Sequence, residues 1–197
     1  MKKLIFSLLF AASYQLGHAQ GVHVGLKFGG NFSRFVGPDA PEDTNSRFGI
    51  QAGVLAEAGL GTHWAVQPEV LYSSKGTKQI SSTGAAVLYQ HLGYLDVPLL
   101  LKYKTHHVFF EVGPQFAALL GATGTLETST STVEEDNKSS FQSFDAGYVA
   151  GVGVQDTNGL LLGVRYNGGL TNVSSGYQAR NSSFQLYLGY VFGGGKP

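Results

Sequence analysis

Between residues 21 and 192, apolar side chains recur at every second position in eight separate stretches. A period of two belongs to strands whose two faces meet different surroundings. The stretches cover approximately 21–33, 47–60, 64–75, 88–104, 108–121, 143–155, 160–171 and 183–192. In the first, Val22, Val24, Leu26 and Phe28 alternate with His23, Gly25, Lys27 and Gly29; in the last, Phe184, Leu186, Leu188, Tyr190 and Phe192 alternate with Gln185, Tyr187, Gly189 and Val191. Most match or modestly exceed the roughly 9–11 residues with which a tilted strand crosses a bilayer.

Which face meets water is the next question. In "LGYLDVPLLLKYK", residues Leu95, Val97, Leu99, Leu101 and Tyr103 share one parity, while Asp96, Pro98, Leu100 and Lys102 share the other. A soluble sheet would bury the first row, and a membrane barrel would turn it toward lipid. The connections favour the barrel. Those after the second, fourth and sixth stretches are short ("GTH", the turn around Thr105 to His107, and "DTNG"), and Asn158-Gly159 is a favoured hairpin pair. The alternate connections are longer and rich in Ser, Thr, Pro, Asp and Asn, the longest carrying "TSTSTVEEDNKSS". Bacterial barrels pair short periplasmic turns with long extracellular loops in this way, which predicts both termini in the periplasm. Aromatics near the strand ends, namely Trp64, Tyr72, Tyr103, Phe109, Phe144, Tyr166 and Phe192, are expected to form interfacial girdles.

Composition narrows the function. Twenty-eight glycines and only 13% charged residues disfavour helix-rich folds. Thirteen basic residues balance thirteen acidic ones, so no nucleic-acid partner is expected. The chain has no cysteine, which excludes disulfides, thiolate metal sites and cysteine nucleophiles. Lys2 and Lys3, the apolar run "LIFSLLFAA" and the small residues ending at Ala19 read as an export signal over residues 1–19. The barrel domain is then expected over 20–197. No later segment approaches the length of a spanning helix.

The expected fold is therefore an all-β, eight-stranded antiparallel up-and-down transmembrane barrel behind a cleaved signal peptide. Eight strands enclose an interior only wide enough for side chains, so inward charges must pair. The inward parity supplies Lys27, Arg47, Glu57, Glu69, Lys102, Glu111, Asp145 and Arg165. Lys27, Glu57, Glu69, Lys102, Glu111 and Arg165 form the candidate structural charge network. Counting up from the short turns puts Lys102 between Glu69 and Glu111, with Arg165 or Lys27 completing the balance. The same count places Pro68, Pro98 and Pro114 at similar height on three consecutive strands, at bulges or unbonded positions, because proline cannot donate to the ladder.

"QPEVLYSSKG" (67–76), "YLDVPLLLKYK" (94–104), "FFEVGPQFAALLG" (109–121), "VRYNGGLTNV" (164–173) and the early "GLKFGGNFS" together resemble the small outer-membrane β-barrel family of Bacteroidota, the porin-like group that includes PorT-type proteins. The resemblance covers nearly the whole mature chain. It implies an integral outer-membrane barrel and, for PorT-type members, an accessory role in secretion or surface assembly. One departure is the tail, where "GGGKP" follows the terminal aromatic Phe192.

Sharper chemistry has weak support in the sequence. The inward carboxylates are matched by cations, which favours structural pairing over a glycosidase-type pair. His106 and His107 point to opposite faces of an extended chain and read as a solvated turn rather than a metal site. His91 with loop serines is a loose candidate for a lipid-modifying hydrolase. "VEEDNK" reads as a solvated loop, and "GVGV" lacks the helix a nucleotide motif needs. The resulting expectation is a non-enzymatic barrel without cofactor, in contact with outer-membrane lipid and lipopolysaccharide and with possible secretion-machinery or other envelope partners. A lipid- or lipopolysaccharide-modifying enzyme and a narrow pore stay open.

Overall fold

A computed structural model describes residues 21–40, 44–81 and 86–193. The expected signal peptide and residues 194–197 of the tail lie outside them. Nine strands follow one another among the described residues: β1 (Val22–Val36), β2 (Thr44–Gly59), β3 (Trp64–Ile80), β4 (Ala86–Lys104), β5 (Val108–Thr128), β6 (Thr132–Asp136), β7 (Phe144–Gln155), β8 (Leu160–Gly169) and β9 (Arg180–Val191). Eight close into an antiparallel ring in the order β1-β2-β3-β4-β5-β7-β8-β9, with β9 back on β1. β6 is an outgrowth paired only with the far end of β5.

The ring is sheared. Val22, Ala58, Val66, Leu101, Val112, Ala150, Tyr166 and Phe184 are successive ladder partners, and the next step arrives at Phe32, ten residues further along β1. A ten-residue shift over eight strands inclines them by roughly 40°. Every residue on this path is apolar and faces outward. Successive residues on β1 show the inversion: Lys27 is 2% exposed and Phe28 is 60% exposed. Along β4, Leu95, Val97, Leu99 and Leu101 point out, while Asp96, Leu100 and Lys102 are buried. An exposed apolar wall around a buried polar interior is stable only when lipid covers the wall.

The strands outrun their sequence-based ends at the long-loop side. β3 continues to Ile80 and β5 to Thr128, because backbone pairing persists past the apolar alternation that marks the membrane. "TVEED", expected as loop, is β6: Thr132–Asp136 pairs with Thr123–Glu127 through a turn in which Thr128 N–H donates to Ser131 C=O at 2.8 Å. Among the short turns, Gly159 takes φ 96°, a left-handed value that favours glycine. Asp156 closes that turn by accepting from the backbone N–H of Asn158 and of Leu160, each at 2.9 Å.

The three prolines fall together. Pro68 is paired with Leu99, the immediate neighbour of Pro98; Pro98 is paired with Gln115, the immediate neighbour of Pro114. The β3–β4 ladder passes from Pro68–Leu99 to Leu71–Asp96, and the β4–β5 ladder from Pro98–Gln115 to Leu101–Val112, both without a change of register. The prolines thus occupy ladder gaps rather than bulges. The register shifts lie elsewhere, between Ser46 and Gln51 on β2 and opposite Gly93 and Tyr94 on β5.

Candidate functional site: the lumenal charge network

Shear decides which side chains meet. Lys27 on β1, Glu69 on β3, Glu111 on β5 and Arg165 on β8 come from every second strand of the ring and form one layer across the lumen. Arg165 donates from Nη1 to Glu69 Oε2 at 2.8 Å, from Nη2 to Glu69 Oε1 at 3.0 Å, and from Nε to Glu111 Oε1 at 2.6 Å. Lys27 Nζ reaches Glu69 Oε2 at 3.2 Å and lies 3.7 Å from the centroid of the Tyr187 ring. Gln67 Nε2 donates to Glu69 Oε1 at 2.7 Å, and Tyr187 O–H donates to Glu111 Oε1 at 2.8 Å. Two cations and two carboxylates with no side-chain exposure make a neutral plug. Bidentate guanidinium–carboxylate geometry suits such a dry site, since charges this deep need both pairing and directed hydrogen bonds.

Glycine makes the reach possible. Glu111, Gly151 and Arg165 are successive ladder partners on β5, β7 and β8. A Cβ at Gly151 would lie 2.7 Å from Glu111 Oε1 and 2.9 Å from Val164 C=O, so only the bare backbone lets Arg165 meet Glu111.

Lys102 does not sit between Glu69 and Glu111. Its Nζ donates to Glu57 Oε2 at 2.8 Å, Gln67 Oε1 at 3.1 Å and Gln155 Oε1 at 3.0 Å, although Glu111 is its ladder partner. Counting from the turns neglects strand inclination, which brings Lys102 level with Glu57 two strands away. The ladder partner of Lys102 on β3 is Ala65, small enough to reach over. Lys104 also binds Glu57. Phe109, expected in the outer girdle, faces inward instead, 1% exposed, and packs with Leu55, Leu161, Tyr187 and Val191. Parity requires this, because Phe109 lies two residues from inward Glu111.

A third layer lies toward the long loops and is missed by sequence reading at Lys75, which falls where the alternation fades. Lys75 Nζ binds Asp96 Oδ1 at 2.9 Å, and Ser73 Oγ donates to Asp96 Oδ2 at 2.6 Å. Asp145, expected to pair with a cation, is held by neutral donors: Asn181 Nδ2 at 2.7 Å and Thr171 Oγ1 at 2.6 Å. Between the layers, both side-chain polar atoms of Asn31 and of Gln51 are buried without a hydrogen-bond partner among the described residues. Beyond the third layer, Phe35, Leu92, Tyr94, Leu119 and Val173 close the lumen with an apolar cap.

Arg47 leaves the lumen altogether. The β2 bulge lets its guanidinium cross the outer face, where it donates to Ser74 Oγ at 3.2 Å, to Lys75 C=O at 3.1 Å and to His91 Nδ1. Ser74 and His91 are both engaged with Arg47, and no carboxylate hydrogen-bonds His91 among the described residues. His106 lies in the turn between β4 and β5, and no group of three metal-ligating side chains occurs among the described residues.

The fold is shared with known membrane barrels. Ail, the attachment invasion locus protein of Yersinia pestis, solved in complex with the heparin analogue sucrose octasulfate, matches with a TM-score of 0.51 at 11% identity, over 88% of this chain and 100% of that one. Neisserial surface protein A matches with a TM-score of 0.50 at 14% identity, over 88% of this chain and 99% of that one. At such identities the likeness shows the fold alone. No curated protein matches the sequence. The inverted burial and the closed ring agree with the family comparison: residues 13–175 match the outer membrane protein beta-barrel domain, and the chain belongs to that family of outer-membrane proteins that span the bilayer with their strands.

Proposed function

We propose that the protein is a closed, non-enzymatic barrel, structural or an accessory component of secretion or surface assembly, with both termini and the short turns in the periplasm and the long loops outside the cell. The observation that carries this reading is the neutral Lys27–Glu69–Arg165–Glu111 layer, which lies across the lumen and engages Glu69 through both oxygens and Glu111 through Oε1. A pore needs a continuous wet path, and a hydrolytic pair needs a carboxylate free to take up a proton or attack. The resemblance to PorT-type, porin-like proteins of Bacteroidota supports the accessory role, and the rhythm of short turns and long loops supports the orientation. Purified full-length protein in a planar bilayer should add no steady conductance to that of the lipid. A stable conductance would favour the narrow pore. Lipid mass spectra of a deletion strain should be unchanged, and loss of one modified lipid would favour the enzyme. Purification in mild detergent should retain envelope proteins as partners.

A further inference from the structure

An aromatic rung crosses four strands of the outer wall. Phe32 on β1 is paired with Phe48 on β2 and Phe184 on β9, and Phe184 is paired with Tyr166 on β8. Ring centroids are 5.4 Å apart for Phe32–Phe48 and 5.0 Å apart for Tyr166–Phe184. The rung lies at the long-loop end of the apolar wall, where an interfacial girdle belongs.

Immediately beyond it come three arginines. Arg34 is paired with Ser182, and Arg180 stands two residues from Ser182 on the same parity, so Arg34 and Arg180 are diagonal neighbours on the outward face. Such positions lie roughly 7–8 Å apart, a span one phosphate bridges when each guanidinium donates to it. Both are exposed. Arg47, on the adjacent strand, rests on neutral groups only: a hydroxyl, a carbonyl and an imidazole. None of the ion pairs among the described residues includes Arg34, Arg47 or Arg180. The opposite rim differs: Tyr103 stacks on His63 and meets Trp64 edge-on, and Lys104 is neutralised by Glu57.

Guanidiniums without a carboxylate partner among the described residues, directly above a lipid-facing aromatic rung, call for an occupant that is anionic at one end and apolar at the other. We infer that Arg34, Arg180 and Arg47 form a phosphate-binding rim for a phosphorylated glycolipid of the outer leaflet, whose acyl chains lie along Phe32 and Phe184. The choice of leaflet rests on the orientation proposed above. Arginine suits the task because its planar fork gives two donors to one phosphate.

The test uses the full-length barrel in phosphatidylcholine nanodiscs, with binding of purified lipopolysaccharide and of its dephosphorylated form measured side by side. Arg34→Gln/Arg180→Gln should weaken binding of the phosphorylated form by about tenfold or more, as expected for the loss of two charge-assisted contacts. Removing the phosphates should have a similar effect on the wild type. Equal binding by wild type and variant, or no effect of dephosphorylation, overturns the proposal. Should the double variant fail to fold, the wild type decides alone: binding that does not weaken with added salt overturns it. Orientation is read separately. The chain lacks cysteine, so Ser175→Cys should react with an impermeant maleimide on intact cells and Asn158→Cys should not. The reverse pattern removes the leaflet assignment even where binding in nanodiscs persists.

Discussion

Replacing Arg165 by methionine removes the hub of the central layer while roughly preserving its apolar stem. Three hydrogen bonds disappear, at 2.6, 2.8 and 3.0 Å. Glu69 would keep Lys27 at 3.2 Å and Gln67 at 2.7 Å, but Glu111 would keep only the Tyr187 hydroxyl at 2.8 Å. The other oxygen of Glu111 already has no partner among the described residues. One uncompensated carboxylate in a dry lumen costs about 3–5 kcal/mol, or roughly two to four orders of magnitude in the unfolding equilibrium. Lys27→Met should cost less, because Arg165 would still hold Glu69 through two hydrogen bonds. The informative variant is Arg165→Met/Glu111→Gln, which removes one charge of each sign and leaves Lys27 with Glu69. It should recover most of the loss, ending within about 1.5 kcal/mol of wild type. Urea unfolding in lipid vesicles, followed through the sole tryptophan, Trp64, measures all three. If the double variant is less stable than Arg165→Met, or if Arg165→Met lies within about 1 kcal/mol of wild type, the neutral-plug reasoning is refuted.

Four further outcomes follow from the same geometry. Leu99→Arg should disfavour insertion by about 2–4 kcal/mol, whereas Leu100→Ala, in the lumen, should cost about 2–5 kcal/mol through lost packing; refolding equilibria in vesicles compare the two. Gly151→Ala should destabilise by about 1–3 kcal/mol by pushing Glu111 off Arg165, seen as a lower urea midpoint. Replacing Pro68, Pro98 and Pro114 together by valine should cost heat-resistant migration, as expected if the gaps set wall curvature; a folded barrel that has lost only a partner would instead indicate a docking face. In the turn outside the membrane, desolvation pushes the Asp156 carboxyl up, but hydrogen bonds from the Asn158 side chain and from the backbone N–H of Leu160, Asn158 and Gly159 together outweigh it and hold the carboxyl below the ordinary aspartate range. A lowered folded value means that its contribution is present above the unfolded value and fades as pH falls through the folded one. Carboxyl NMR should show that late titration, and an ordinary aspartate titration would refute the turn geometry.

Alternation alone carried most of the fold. A strict period of two, interrupted by alternately short and long connections, leaves few architectures other than an up-and-down ring, and the inward parity of Lys27, Glu57, Glu69, Lys102, Glu111 and Arg165 could be read directly. The pairing among them could not. Shear is a property of ring closure, and without it Lys102 looks level with Glu69 rather than Glu57. The place of Arg47 is not legible because a bulge in the β2–β3 ladder, which leaves no sequence mark, lets its side chain reach Ser74 and His91, and that of Phe109 because an aromatic near a strand end reads the same whether it faces lipid or lumen. The role of Gly151 was invisible for a related reason: a glycine in an inward row looks like a neutral filler until its ladder partners are known. β6 was lost because pairing beyond the bilayer needs no apolar alternation.

The central claim is that the barrel is inside out, with lipid on the Leu95–Leu101 row and a closed polar lumen behind it. Spin labels placed one at a time from Tyr94 to Lys104, in a chain with no native cysteine to remove, test this most directly in lipid bilayers. Collision with oxygen, which concentrates in lipid, should be high at Leu95, Val97, Leu99 and Leu101 and low at Asp96, Pro98, Leu100 and Lys102. The opposite phase, or no alternation along the strand, would contradict the account.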